Sequence, residues 1–129
     1  MTAPTTPPTD DKDWTFVLTE GCAECGFDPA VDLLGTGARI RSTLPRWRAA
    51  LAASGATNRP APLVWSPLEY GCHVRDVFRI FAARLALMLG EDGATFANWD
   101  QDATAVTDRY WAQDPTVVAG ELEGSGEAL

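Results

Sequence analysis

The sequence contains few of the residue types that usually carry chemistry. It has one histidine, His73, and three cysteines among 129 residues. It has no GxSxG motif, no HExxH motif and no phosphate-binding glycine loop, so the hydrolase and nucleotide-binding classes that these motifs define are not indicated. The odd number of cysteines argues against a disulfide-stapled secreted fold. If the chain does chemistry, His73 is the first residue to consider.

Long hydrophobic runs are also missing. No stretch of 18 or more apolar residues occurs, so we expect no membrane span. The first residues, MTAPTTPPTDDKD, have neither the basic nor the apolar region of a secretory signal, and we therefore expect a cytoplasmic protein. Their proline and threonine content predicts a disordered leader over residues 1–13. One helical domain is expected over residues 14–129, where Trp14, Phe16 and Leu18 alternate and permit a short extended segment.

The charge of the chain is strongly negative and unevenly distributed. The formal net charge of −8 disfavours nucleic acids and anionic membranes as partners. Residues 1–38 carry seven acidic side chains and one lysine, residues 39–84 carry eight arginines and two acids, and residues 85–129 carry nine acids and one arginine. Such bands indicate either solvated faces that neutralise one another or an arginine-lined rim that attracts an anionic thiol or carboxylate substrate. Composition does not separate these two interpretations.

The segment from Trp65 to Leu89 predicts one long helix. Ser66 suits the N-cap, Pro67 the first helical position and Glu69 the carboxylate position of a capping box. Apolar side chains then recur at three- and four-residue steps and form a predicted stripe that consists of Tyr70, Val74, Val77, Phe78, Phe81, Leu85 and Met88. His73 falls at the border of this stripe and is predicted to face inward near one end of a bundle. Arg75 and Arg79 fall on the opposite face.

Three further helices are indicated around this long one. Asp32 or Thr36 is positioned to cap a helix that runs to about Ser54, in which Pro45 predicts a kink or a break because it lacks an amide hydrogen.

The other two follow the long helix. Asp100 or Asp102 is positioned to cap a short helix. Asp114 and Pro115 open a last helix, which three glycines weaken.

The run WSPLEYGCHVRDVFRIFAARLALML, together with CAECGFD before it and FANWDQDATAV after it, resembles the actinobacterial branch of the DinB-like superfamily. The resemblance extends from about Trp14 to the C-terminus. It implies a four-helix bundle in which three histidines hold a zinc or nickel ion, and several members use a low-molecular-weight thiol such as mycothiol for transfer or isomerisation. His73 matches the first metal ligand, and the late HxxxH-like pair has no counterpart before Leu129. In that family the segment that holds Asp100 and Asp102 lies near the mouth of the metal site, so the resemblance also allows either carboxylate to face a ligand instead of capping a helix.

We therefore expect an all-α, DinB-like four-helix bundle that is incomplete here, with about three helices and a short one. The function implied by the resemblance is that of a metal-binding protein with an incomplete metal site, and the activity it implies is that of a thiol-dependent transferase. No catalytic residue is assigned. Glu69 and Asp76, which lie four and three residues from His73, are candidates to hold its imidazole as outer-shell partners.

Cys22 and Cys25 form a CxxC pair that allows three interpretations. Two thiolates at this spacing can bind one edge of a tetrahedral zinc ion, with Cys72 and His73 as the nearest candidates to complete the site. The pair can also form a redox disulfide, or consist of ordinary thiols. The residues do not decide between them.

The alternative to a metal-dependent protein is a non-catalytic helical protein that self-associates. Without a fourth helix, apolar residues of the long helix such as Tyr70, Phe78 or Leu85 would remain partly uncovered. A homodimer formed through that face is the partner that this alternative predicts.

Overall fold

The structure is a computed structural model that describes residues 2–129, and these residues form helices, turns and loops without a β-strand. Five α-helices follow in chain order: α1 (Val17–Glu20), α2 (Thr36–Ala52), α3 (Pro67–Gly90), α4 (Gln101–Thr107) and α5 (Pro115–Ala128). Single 3₁₀ turns occupy Leu33–Gly35 and Tyr110–Ala112. The predicted all-α class is confirmed.

None of the helices over residues 2–129 has the length and apolar content needed to cross a membrane.

The segment before α2 is mostly irregular. Of the predicted leader, Met1 lies outside the described residues, and residues 2–13 form no helix. The short extended segment that the alternation at residues 14–18 permits does not form, because the chain turns there: the amide of Val17 donates to the Trp14 carbonyl at 3.1 Å, and α1 follows. No neighbouring strand pairs with these residues, so their backbone groups bond locally.

The core lies where α2, α3 and α5 pack against one another, with α4 and the Tyr110 turn closing one side. Its buried apolar residues are Leu44, Leu51, Leu68, Cys72, Phe78, Ala105, Tyr110, Val118 and Leu122. These residues come from five separate elements, so the core depends on contacts between distant parts of the sequence.

Two glycines allow the three core helices to approach closely. A Cβ atom added at Gly126 of α5 would lie 2.6 Å from Leu44 Cδ2 and 3.0 Å from Phe78 Cε2. One added at Gly71 of α3 would lie 2.9 Å from Leu51 Cδ2. Glycine lowers helix propensity by about 1 kcal/mol relative to alanine. At these two positions the helices tolerate the lower propensity, because any larger residue would clash with the side chains of the neighbouring helix.

Helix α2 is continuous through Pro45, so of the expected kink or break, the break does not occur. Pro45 is exposed, whereas Leu44 and Leu51 are buried on the side that faces the core. The carbonyl that Pro45 leaves without an amide donor belongs to Arg41, which is also exposed, and water can satisfy it. Asp32 caps the preceding 3₁₀ turn, where its side chain accepts from the Leu34 amide at 3.0 Å.

The start of α3 is as predicted. The Ser66 hydroxyl accepts from the Glu69 amide at 3.2 Å, and Glu69 Oε1 accepts from the Ser66 amide at 3.1 Å. This is a complete capping box with Pro67 at the first helical position. Asp100 and Asp114 likewise cap α4 and α5.

The buried face of α3 differs from the predicted stripe. Its buried residues are Leu68, Glu69, Gly71, Cys72, Arg75 and Phe78, so Phe78 is the only stripe residue among them. Four stripe residues are 42–50% exposed and form what we call the outer face: Tyr70, Phe81, Leu85 and Met88. At ~100° per residue, the buried and outer faces are centred roughly 120° apart around the helix.

The predicted position of Arg75 on the solvent face is therefore wrong, because its side chain is only 6% exposed. The core helices pack on the side of α3 where Gly71 permits close approach to α2 and where Arg75 meets Glu121 of α5. This choice of face leaves the outer face without a helix against it.

Candidate site at His73

The imidazole of His73 lies between two tryptophan rings. His73 stacks on Trp99, with ring centroids 5.6 Å apart and planes 8° apart, and Trp65 lies on another side at 5.7 Å and 53°. Trp99 comes from the loop before α4, where its Nε1 donates to the Thr104 hydroxyl at 2.8 Å. Trp65 comes from the loop before α3 and packs edge-on against Tyr110. Three separate segments thus fix the orientation of one ring.

One nitrogen of this imidazole has no partner. His73 Nδ1 is buried and makes no hydrogen bond within the described residues, and the same holds for Trp111 Nε1. Buried polar atoms in folded proteins are nearly always bonded, and leaving one unbonded costs about 1–3 kcal/mol. An unpartnered nitrogen in a ring held this firmly marks a position where a donor, an acceptor or a metal ion would be stabilised.

Burial also sets the charge of His73. Desolvation lowers the pKa of the imidazole below its usual 6.5, and the opposing influence of Asp76 and Asp102 is smaller. The ring is therefore neutral at pH 7. Neutral imidazole is the form that binds metal ions.

The expected outer-shell partners are bound elsewhere. Glu69 accepts from Arg59 Nε at 2.8 Å and from Ser66. Asp76 accepts from Arg75 Nε at 3.0 Å and from the Tyr110 hydroxyl. The expectation that either carboxylate holds His73 is wrong, since charged guanidinium groups occupy both carboxylates.

The three cysteines are not gathered at one place. Cys72 is fully buried on α3, where its thiol donates to the Tyr110 carbonyl at 3.9 Å, and burial raises its pKa to about 12. Cys22 is half-buried and Cys25 exposed in the turn after α1. Over residues 2–129 no three His, Cys, Asp or Glu side chains are arranged to hold a metal ion. The zinc interpretation of the CxxC pair, with Cys72 or His73 completing the site, is therefore not met over these residues, and Cys72 faces the core instead.

A buried ionic network between α3 and α5 is the feature that the sequence did not reveal. Arg75 donates to Gln113 Oε1 at 2.8 Å and to Glu121 Oε1 at 3.1 Å, in addition to Asp76. Burial raises the pKa of Tyr110, and its bond to Asp76 raises it further. The only indication in the sequence is that Leu68, Cys72 and Arg75 follow one another at steps of four and three. This spacing places Arg75 on the same face of α3 as those two buried residues.

A second ion pair joins the loop before α3 to the helix start. Arg59 contacts both oxygens of Glu69, with side-chain exposures of 14% and 3% respectively. Arg59 also donates to the Pro62 carbonyl at 2.7 Å and to the Thr5 carbonyl at 2.5 Å. Arg59 thus links the N-terminal segment, the loop before α3 and the start of α3.

An open cavity of about 550 Å³ lies beside Trp99. Its lining includes Asp10, Asp100 and Asp102 and no arginine. Asp100 also caps α4 by accepting from the Ala103 amide at 2.9 Å, so it serves the helix and the cavity wall together. The acidic lining does not correspond to the arginine rim that the charge bands allowed.

The fold and site define a small all-α protein with a three-helix core and one half-buried histidine that packs against two tryptophan rings. No family model, curated protein or solved structure matches the chain.

Proposed function

We propose that this chain is a DinB-like helical module whose functional residue is His73, which supplies one imidazole ligand to a zinc or nickel site. The observation that carries the proposal is the buried, unpartnered Nδ1 of a ring clamped between Trp65 and Trp99. The lowered pKa of the ring adds support, because it keeps the ligating form at neutral pH.

The chain's own residues do not complete such a site. Zinc sites use three or four protein donors, and residues 2–129 gather no group of three. His73 is accordingly one ligand that needs at least two donors from elsewhere. The thiol-dependent transferase activity, with a low-molecular-weight thiol as cosubstrate, rests on the resemblance alone, and we assign no step of it to a residue.

The metal content of the purified chain tests this proposal. We expect zinc or nickel titrated into the wild-type chain to bind weakly, and His73→Ala to abolish that binding. Cys25→Ser is the matched control, because it disrupts the CxxC pair and leaves His73 intact. Equal metal in the wild type and in His73→Ala would remove His73 from any metal site.

The outer face of α3 supports a second candidate function, self-association into a homodimer. Beyond Arg84 every residue of α3 is exposed, including the apolar Leu85, Leu87, Met88 and Leu89. Patches of this kind mark interaction sites.

The charged residues beside the outer face favour a second copy of this chain as its binding partner. The guanidinium of Arg84 lies over Phe96 at 4.5 Å and over Phe81 at 5.5 Å, and no acidic side chain of the described residues pairs with it. Glu91 and Asp92 follow the end of α3. Antiparallel pairing of two α3 helices would place these acids near Arg84 of the other copy.

Sedimentation analysis tests the homodimer. We expect the wild-type chain to sediment as a dimer and Leu85→Glu to sediment as a monomer, because a carboxylate would be buried at the centre of the contact. Leu34→Glu is the control, since Leu34 is 97% exposed and lies outside α3. A wild-type chain that stays monomeric at high concentration would contradict self-association and leave the His73 proposal untouched.

A further inference from the structure

We propose that Cys22 and Cys25 form a dithiol site that exchanges with small, uncharged or cationic disulfides. Cys22 is the attacking thiol and Cys25 the resolving one. The site is separate from His73 and independent of the function proposed for it.

The turn that carries the pair is closed by its own backbone. The amide of Cys22 donates to the Phe27 carbonyl at 3.0 Å, and the amide of Gly26 donates to the Cys22 carbonyl at 2.8 Å. Gly21 and Gly26 have φ of +74° and +79°, a region that favours glycine. These bonds hold the two cysteines on one short loop, so the second thiol stays close to the first.

Several groups of this loop stabilise a thiolate at Cys22. The backbone amide of Cys25 is the largest influence that lowers the pKa of Cys22, followed by the Cys25 thiol, and the Glu24 amide adds a smaller contribution. Desolvation and, less strongly, the carboxylate of Glu24 oppose them. The thiolate is the form that attacks a disulfide, which assigns the first step to Cys22.

Cys22 and Cys25 differ from the third cysteine, Cys72, in how easily solvent and small molecules can reach their thiols. An open cavity of about 320 Å³ is lined by Cys22 and by other residues of this turn, among them Glu20 and Phe27, whereas Cys25 is exposed outside it. A small disulfide can reach Cys22 there, whereas Cys72 is fully buried and its pKa is raised to about 12. Cys72 is therefore an unreactive reference inside the same molecule.

The exchange balances without a metal ion or a further reagent. The Cys22 thiolate attacks one sulfur of a disulfide RSSR, forms a mixed disulfide and expels RS⁻, which takes up a proton. The Cys25 thiol then loses its proton, attacks the Cys22 sulfur and expels the second RS⁻. Two electrons pass from the protein to RSSR, which leaves as two RSH.

The charge around the turn sets the preference among disulfides. Glu20, Glu24 and Asp28 surround the pair, and residues 13–38 contain no lysine, arginine or histidine. Anionic disulfides are repelled by this field and cationic ones are attracted. Tetrahedral zinc is disfavoured here because the described residues supply two thiolates and no third donor.

Mass spectrometry of the reduced chain treated with cystamine, a cationic disulfide, tests the site. We expect the chain to lose two hydrogen atoms, with the bond mapped to Cys22 and Cys25 and with Cys72 still alkylatable after unfolding. Cys25→Ser should instead accumulate a mixed disulfide at Cys22. Stable adducts on both cysteines of the wild-type chain, or a bond that includes Cys72, would overturn the proposal.

The charge preference gives an independent measurement. Cystamine should react faster than anionic oxidised glutathione, and Glu24→Gln should reduce that ratio by about two- to fivefold at low salt, the range expected for one exposed charge. High salt should remove the difference between Glu24→Gln and the wild type. A ratio that neither the substitution nor salt changes contradicts the assignment of substrate charge. These outcomes do not depend on whether His73 binds metal.

Discussion

Replacing Glu69 with alanine is expected to lower the free energy of unfolding by about 3–5 kcal/mol. The side chain is 3% exposed and pairs with Arg59, which is 14% exposed, so its removal leaves a largely buried guanidinium without its carboxylate. The substitution also removes the Glu69 half of the capping box on Ser66. Urea unfolding followed by circular dichroism would measure the loss. Glu127→Ala, which removes an exposed carboxylate from α5, is the control and should stay within about 0.5 kcal/mol of the wild type.

The same carboxylate should contribute a pH-dependent part of the stability. Burial raises the pKa of Glu69, but bonds from Arg59 and Ser66 outweigh it and hold the pKa below the usual 4.5. The unfolded chain therefore binds the proton more readily than the folded one as the pH falls. The contribution is fully present above pH 4.5 and is lost as the pH falls through the folded pKa. Glu69→Gln should lose less stability than the wild type over that interval, and an equal acid response in both would contradict the pairing.

Replacing Asp76 with alanine is the second large effect, expected at about 3 kcal/mol. The substitution leaves the Tyr110 hydroxyl without its partner and takes one carboxylate from Arg75, whose side chain is 6% exposed. Removing one member of a buried pair costs about 3–5 kcal/mol. We expect a loss at the lower end of this range, because Arg75 keeps Gln113 and Glu121 as hydrogen-bond acceptors.

Two further variants at this position make the measurement specific. Asp76→Asn retains an acceptor for the Tyr110 hydroxyl and should lose less stability than Asp76→Ala. Asp108→Ala removes an exposed carboxylate just after α4 and should be close to neutral. If Asp76→Ala unfolds at the wild-type urea concentration, the network between α3 and α5 does not stabilise the fold.

The starts of α3, α4 and α5 were predictable because their determinants are local, whereas neither predicted cap of α2 forms, since its N-cap is Gly35. The capping box at Ser66 and the caps at Asp100 and Asp114 depend on residues within three positions of one another. The inward position predicted for His73 rested on the apolar stripe, which is not the buried face of α3. His73 is half-buried because Trp65 and Trp99, from the loops before and after α3, pack against its ring, and these contacts could not be predicted from the helix alone.

The face of α3 that is buried could not be read from the long helix alone. Apolar side chains occur on both its buried and its outer face, so its own periodicity allows either to face the core. Which face of α3 is buried depends on Glu121 and Gly126 of α5. These residues lie more than 40 positions after their neighbours Arg75 and Phe78 in α3. Arg75 looks solvent-facing until Glu121 is placed beside it. The continuity of α2 at Pro45 could not be predicted from the residue type either. It depends on Pro45 lying on the exposed side of the helix, where water can satisfy the carbonyl that has lost its amide donor.

The unequal surroundings of the two halves of α3 imply two different local stabilities. Amide hydrogens near Cys72 should exchange with solvent only when the core unfolds, because α2, α5 and the Tyr110 turn cover the N-terminal half of α3. From Leu85 to Gly90 every residue is exposed, so these turns of an isolated chain can unwind without disturbing the core. Amide exchange should therefore slow by stages from Gly90 back to Cys72. A helix packed on the outer face would convert this fraying end into part of the cooperative unit.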